Sequence, residues 1–161
     1  MSDESIMRAT AALEQERTVR GLLETACREL VEILEAQACA ISRVVGDLLI
    51  GLAQYSHGND PLALGHEYLI SDYPLTFEVV QRGEARSVSL LEERPDANEA
   101  ELLEKLGFES LLMVCLPAAG DCWGLVEVYA DEKRFDEDQA ALAERFAAAT
   151  GRRLEQLDPV A

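Results

Sequence analysis

Glu109-Ser110-Leu111-Leu112-Met113-Val114-Cys115-Leu116-Pro117-Ala118-Ala119-Gly120-Asp121-Cys122-Trp123-Gly124-Leu125-Val126-Glu127-Val128-Tyr129-Ala130-Asp131 is two apolar runs of strand length around a Pro-Ala-Ala-Gly-Asp turn. Such a stretch predicts a β-hairpin with both arms largely buried. Side chains alternate across a strand, so Leu111, Met113 and Cys115 take one face and Leu112, Val114 and Leu116 the other. In the second arm, regular alternation sets Trp123, Leu125, Glu127 and Tyr129 against Gly124, Val126, Val128 and Ala130. The small, smooth set suits close helix packing. The bulky set, with a carboxylate in it, suits the wall of a cavity.

Outward from this hairpin, the chain reads as one domain over residues 1–161, and its 48% hydrophobic content is enough for a real core. Fourteen basic against thirty-one acidic residues give a net charge of −17, which disfavours nucleic acid and anionic membrane surfaces as partners. The start carries no basic, apolar leader and no window approaches membrane-spanning length, so a cytoplasmic protein is expected. Cys27, Cys39, Cys115 and Cys122 show no Cys-x-x-Cys spacing, and three sit in apolar periodic segments. This reads as reduced core thiols rather than a zinc or disulfide framework.

Asp3 to Ala36 has no proline, and Val19, Leu22, Leu23, Ala26, Leu30, Ile33 and Leu34 recur at helical spacing. One long amphipathic helix is expected, with residues 1–20 an extended segment reaching beyond the body or onto a partner. Ala38 to Val45 and Leu48 to Ser56 read as strands joined by a Gly46-Asp47 turn. A loop over His57 to Gly65 and a short strand over Glu67 to Ile70 follow. Ser71 or Asp72 then caps a short helix that has Pro74 in its first turn and ends before Gly83. Ala85 to Leu90 is a strand, and Asn98 with Glu101 resembles a capping box for a helix stopping at Gly107. Asp136 with Gln139 opens the last helix, whose Leu142, Phe146, Thr150, Leu154 and Leu157 form a stripe. Gly151 inside it costs about 1 kcal/mol against alanine, and helix–helix proximity is the expected reason.

This element order predicts an α+β domain on a mainly antiparallel sheet. Its Asp72-Tyr73-Pro74 segment, Val79-Val80-Gln81-Arg82-Gly83-Glu84-Ala85, the Ser110 to Pro117 strand, Trp123-Gly124-Leu125-Val126-Glu127-Val128 and Arg134-Phe135-Asp136-Glu137-Asp138 together resemble a GAF domain, a small-molecule sensor module of signalling proteins. The resemblance covers roughly Leu22 to Leu157. It implies a six-stranded sheet with the terminal helices on one face and short helices and loops over a ligand pocket on the other. The residues placed at that pocket are Tyr68, Tyr73, Phe77, Met113, Cys115, Trp123, Glu127 and Tyr129, roofed by His57 to Phe77.

The same resemblance brings three ligand or activity patterns to compare. Bilin-binding members carry a cysteine over the pocket, and none lies between Cys39 and Cys115. Free methionine sulfoxide reductases, the enzymatic alternative, resemble GAF domains with redox cysteines in the covering loops. Here Glu127 matches an acidic position of theirs, while the loop cysteines are missing and Met113 stands where a glutamate is expected. Lys133, Phe135 and Asp138 are similar to part of a cyclic-nucleotide signature, with Asp131 in place of its asparagine. His57 and His66 are of a metal-ligating type but read as surface residues. Ser87 and Ser89 lack a histidine partner nearby. Glu127 is the strongest polar candidate, either needing a ligand or partner on a buried face or reaching solvent or Arg86. The expectation is a non-enzymatic sensor or interaction module, with no cofactor named, acting on a signalling output protein or domain. It would dimerise through its terminal helices, or else serve as a ligand-free structural dimerisation module.

Overall fold

In the computed structural model, residues 3–58, 68–92, 94–131 and 134–159 are described. Two strands, β1 (Ala38–Val45) and β2 (Leu48–Ser56), follow helices α1 (Asp3–Glu14) and α2 (Val19–Ile33). After the two-residue β3 (Tyr68–Leu69) come α3 (Pro74–Arg82), β4 (Arg86–Ser89), α4 (Ala97–Leu106), β5 (Ser110–Ala118), β6 (Asp121–Ala130) and α5 (Glu137–Leu157). The sheet order is β3-β2-β1-β6-β5-β4 and every pairing is antiparallel. Of the strand expected over Glu67 to Ile70, Tyr68 and Leu69 pair at the sheet edge, Ile70 already opens a 3-10 turn and Glu67 lies outside the described residues, as does most of the loop expected over His57 to Gly65.

Both hairpins form where the turn chemistry put them. Val45 faces Leu48 across Gly46, whose φ of 59° is the left-handed conformation such a turn demands. Asp47 of the same turn accepts from the Ser71 backbone at 2.8 Å and its hydroxyl at 2.6 Å, tying the start of the α3 region to the far end of the sheet. At α5, Asp136 and Gln139 complete the expected capping box. The helix at α4 starts two residues earlier than expected. Asp96, not Asn98, is its N-cap and accepts from the Glu99 backbone, so Glu99 takes the third helical position. Helix α3 is entered from Tyr73 without a side-chain cap, not from Ser71 or Asp72.

The long first helix does not form as one piece. It breaks between Glu14 and Val19, where the Thr18 hydroxyl caps α2 by accepting from Gly21. Glu16 accepts from Thr25 at 3.1 Å and from Arg153 of α5 at 2.8 Å, which holds the break in place. Ile6, Ala9 and Leu13, spaced at three and four, give α1 its own buried stripe in the core shared with α2 and α5. Folding back buries this stripe, whereas a continuous helix would leave it in water.

Helices α1, α2 and α5 cover one face of the sheet, over Cys39, Ile41, Leu112, Val114, Val126 and Val128. The stripe that α5 buries is Ala143, Phe146, Ala147, Thr150, Gly151 and Leu154, while Leu142 and Leu157 are only partly buried. Ala143, Ala147 and Gly151 recur every four residues, and this small-residue row lets α5 sit directly on β5. A Cβ on Gly151 would lie 1.8 Å from the Pro117 carbonyl oxygen, so the glycine answers to a strand backbone rather than to a neighbouring helix. Elements α3 and α4 cover the opposite face, over Leu111, Met113, Leu125 and Tyr129.

Candidate functional site

On the α3/α4 face the antiparallel register sets Met113 beside Glu127 and Leu111 beside Tyr129. Glu127 is 6% exposed and sits mid-strand, so it neither reaches solvent nor pairs with Arg86, whose guanidinium is engaged by Glu78 at 3.2 Å and Glu84 at 3.7 Å. One strand period away, the Tyr129 hydroxyl donates to Glu127 Oε2 at 3.0 Å. The Tyr129 ring is held in turn by stacking on Phe108, with centroids 5.2 Å apart.

A second carboxylate enters this face from α4. Glu99 is 1% exposed, and its Oε1 accepts the Thr76 hydroxyl of α3 at 2.6 Å. The same hydroxyl oxygen lies 3.3 Å from Met113 Sδ, which joins the α3, α4 and β5 contributions into one cluster. Among the described residues Glu99 Oε2 is buried without a hydrogen-bond partner. Burial pushes the Glu99 carboxyl up, against the Thr76 hydrogen bond, which favours the charged form. Glu127 is raised to about 7, first by burial and then by the Glu99 charge, with the Tyr129 hydroxyl pulling back. Two buried carboxyl groups that resist ionising together form a site able to take up a proton, a cation or a hydrogen-bond donor.

The residues expected at the pocket divide into those this face gathers and those it does not. Met113, Cys115, Glu127 and Tyr129 share it, with Leu111 and Leu125, as strand alternation requires. Trp123 does not. Leu116 pairs with Gly124 and Pro117 with Cys122, so Trp123 is an extra residue in a β-bulge, and the alternation reverses there. Its ring joins the helix-side core, with the Arg43 guanidinium 4.5 Å from its centroid. Phe77 is 45% exposed on α3, one residue on from the inward Thr76. Tyr73 lines a separate polar cleft of about 390 Å³ with Asp72, Asn98, Glu101 and Lys105. The side chain of Tyr68, most of the His57 to Gly65 roof, His66 and Lys133 lie outside the described residues. Of the remaining expected ligand-type groups, His57 is 3.9 Å from Glu32, Phe135 is buried in the helix-side core and Asp138 is exposed.

Glu99 and Thr76 are the members that sequence reading passed over. A trace of them was present, because Asp96-Ala97-Asn98-Glu99 is itself an N-cap with an acidic third position. What the sequence does not show is that the Glu99 side chain leaves the helix end for a hydroxyl on α3.

Residues 18–154, most of the chain, match the GAF domain family. The chain belongs to this family. Its GAF fold is shared by solved structures at low sequence identity. One is the chromophore-binding domain of an unusual bacteriophytochrome from R. palustris, with 12% identity, a TM-score of 0.81, and coverage of 98% of this chain and 62% of that one. Another, a far-red absorbing dark state with bound biliverdin IXa, has 17% identity and a TM-score of 0.80, covering 96% and 99%. The photosensory core module of a Stigmatella aurantiaca phytochrome has 14% identity and a TM-score of 0.80, covering 97% of this chain but 36% of that one. These likenesses establish the fold alone, and this GAF chain spans only part of the two bacterial phytochrome structures. No curated protein matches it. Within the GAF frame, the face opposite α1, α2 and α5 is the one that carries the Glu99–Glu127 cluster.

Proposed function

We propose that this GAF domain is a non-enzymatic cytoplasmic sensor that takes up a cationic or hydrogen-bond-donating small molecule against Glu127 and Glu99 and passes the event to a signalling partner. The buried carboxylate pair, with one Glu99 oxygen unpartnered among the described residues, is the observation that carries this reading. Apolar walls with a few convergent polar groups are the usual form of a small-molecule site. The solved structure that holds biliverdin supports the same ligand class, since the pyrrole N–H groups of such a compound are donors. No cysteine lies between Cys39 and Cys115, so the proposal is for non-covalent uptake.

Native mass spectrometry of protein purified from its own cells tests this directly. A co-purifying small molecule is expected in the wild type and is expected to be lost from Glu127→Gln. For a cationic ligand, affinity should rise as pH increases through about 7, where Glu127 gains its charge. Ligand held equally by Glu127→Gln would remove this carboxylate from the site.

The output route in this proposal is a dimer through the terminal helices. A groove of about 620 Å³ between α1 and α5, lined by Ile6, Met7, Ala11, Arg145 and Ala149, supports it, as does the 70% exposure of Met7. Pairing two such faces would make a helical bundle whose seating shifts with the sheet. Leu23, by contrast, is 1% exposed inside the chain's own core, so replacing it would report on folding rather than on assembly. Sedimentation at micromolar concentration should therefore show a dimer that Met7→Asp converts to a folded monomer. A wild-type monomer would overturn the dimer.

A further inference from the structure

The four cysteines come together as two pairs. Cys27 of α2 and Cys39 of β1 are fully buried and lie against each other, and burial, then the Cys27 contact, pushes the Cys39 thiol up. Such thiols are inert. Cys115 and Cys122 differ: both are only partly buried, they lie close across the β5–β6 hairpin, where Cys122 pairs with Pro117 two residues on from Cys115, and both open onto one cleft.

This cleft exists because β4 is short. It pairs only with Ser110 to Met113, so beyond Met113 the outer edge of β5 is left uncovered. The gap, about 750 Å³, lies between Arg82 and Gly83 at the end of α3 and Glu144 of α5, with Asp121 at the hairpin end. Low-molecular-weight compounds can enter a space of this size.

We propose that Cys115 and Cys122 form a thiol–disulfide exchange site for small disulfides, with Cys115 the attacking thiol and Cys122 the resolving one. The asymmetry follows from the Cys122 thiol, whose proton is engaged by the Gly124 carbonyl at 3.2 Å while its sulfur lies against the Cys115 side chain. The contact with Cys122 lowers the Cys115 pKa against the opposing effect of burial, and the same contact, with burial, raises Cys122. The Cys115 thiolate attacks one sulfur of R–S–S–R, forming Cys115–S–S–R and expelling R–S⁻. Cys122 then attacks the Cys115 sulfur, forming the intramolecular disulfide and expelling the second R–S⁻, which carries away the Cys122 proton. Two electrons pass from the pair to the small disulfide, which leaves as two thiols.

Closing the bond is within reach of the hairpin. Cys122 faces Pro117, diagonal to Cys115, and diagonal neighbours lie roughly 7–8 Å apart at Cα, about 1 Å beyond the span a disulfide accepts. The unpaired Trp123 next to Cys122 gives β6 a residue of slack at this point.

Native protein treated with oxidised glutathione, quenched with iodoacetamide and mapped by mass spectrometry tests the assignment. Expected is the loss of two hydrogens with Cys115 and Cys122 in one linked peptide, while Cys27 and Cys39 are alkylated only after unfolding. In Cys122→Ser, a glutathione mixed disulfide should accumulate at Cys115. In Cys115→Ser, Cys122 should react about tenfold more slowly than Cys115 does in Cys122→Ser. Equal rates in the two variants would overturn the assigned roles. A wild type that stops at the mixed disulfide, or does not react in the native state, would overturn the site.

Discussion

Glu127→Gln should raise the melting temperature by roughly 6–12 °C at pH 8 and by only about a quarter of that at pH 5. In the unfolded chain this carboxyl titrates near 4.5, and in the fold near 7. Between those values the native state binds the extra proton, so stability falls as pH rises from about 4.5 to about 7 and stays lowered above. The full cost is about 3 kcal/mol. Glutamine keeps the shape and an oxygen to accept from Tyr129, yet has no charge to desolvate. Well below pH 4.5 the wild-type carboxyl is neutral in both states, and the advantage of the variant vanishes. Melting curves at a series of pH values decide: an equal shift at pH 5 and pH 8, or a loss at pH 8, would mean that the charge of Glu127 is well solvated in the fold. Stability given up near neutral pH to keep a carboxylate buried is also what a ligand able to pair with it would recover.

Gly151→Ala should cost about 3 kcal/mol, although alanine is the better helix former by about 1 kcal/mol. Gly151 lies in the interior of α5, where an exposed site would gain from the change. Here the new Cβ would lie 1.8 Å from the Pro117 oxygen and 3.0 Å from its carbonyl carbon. Both are backbone atoms of β5 and cannot turn aside, so the helix must lift from the sheet and release the packing of Ala147 and Leu154. Urea denaturation reads the effect as a fall in midpoint. A neutral or stabilising result would show that α5 does not approach β5 this closely. Gly124→Ala meets the Ser42 carbonyl at 2.7 Å and should lose less, since that overlap is smaller.

Period-two alternation in 110–131 was enough to gather Leu111, Met113, Cys115, Leu125, Glu127 and Tyr129 on one face, because the register of β5 with β6 is regular from Ser110 to Leu116. The Gly46 turn and the Asp136 cap were equally legible, since each is settled by a few consecutive residues. Family membership could be read from motifs that keep their order along the chain. Trp123 was beyond that reach: only the strand pairing shows which residue the bulge leaves over, and one extra residue turns the next side chain to the other face. Nor does the sequence reveal that α1 folds back, because Ile6, Ala9 and Leu13 are buried by α2 and α5 rather than by anything local. Glu99 meets Thr76 across 23 residues, and Cys27 meets Cys39, and Cys115 meets Cys122, only once helices and strands are packed. Local geometry fixes which way a side chain points along its own element; which charge or thiol it then meets, and whether water is excluded between them, is decided by the packing of elements distant in the chain.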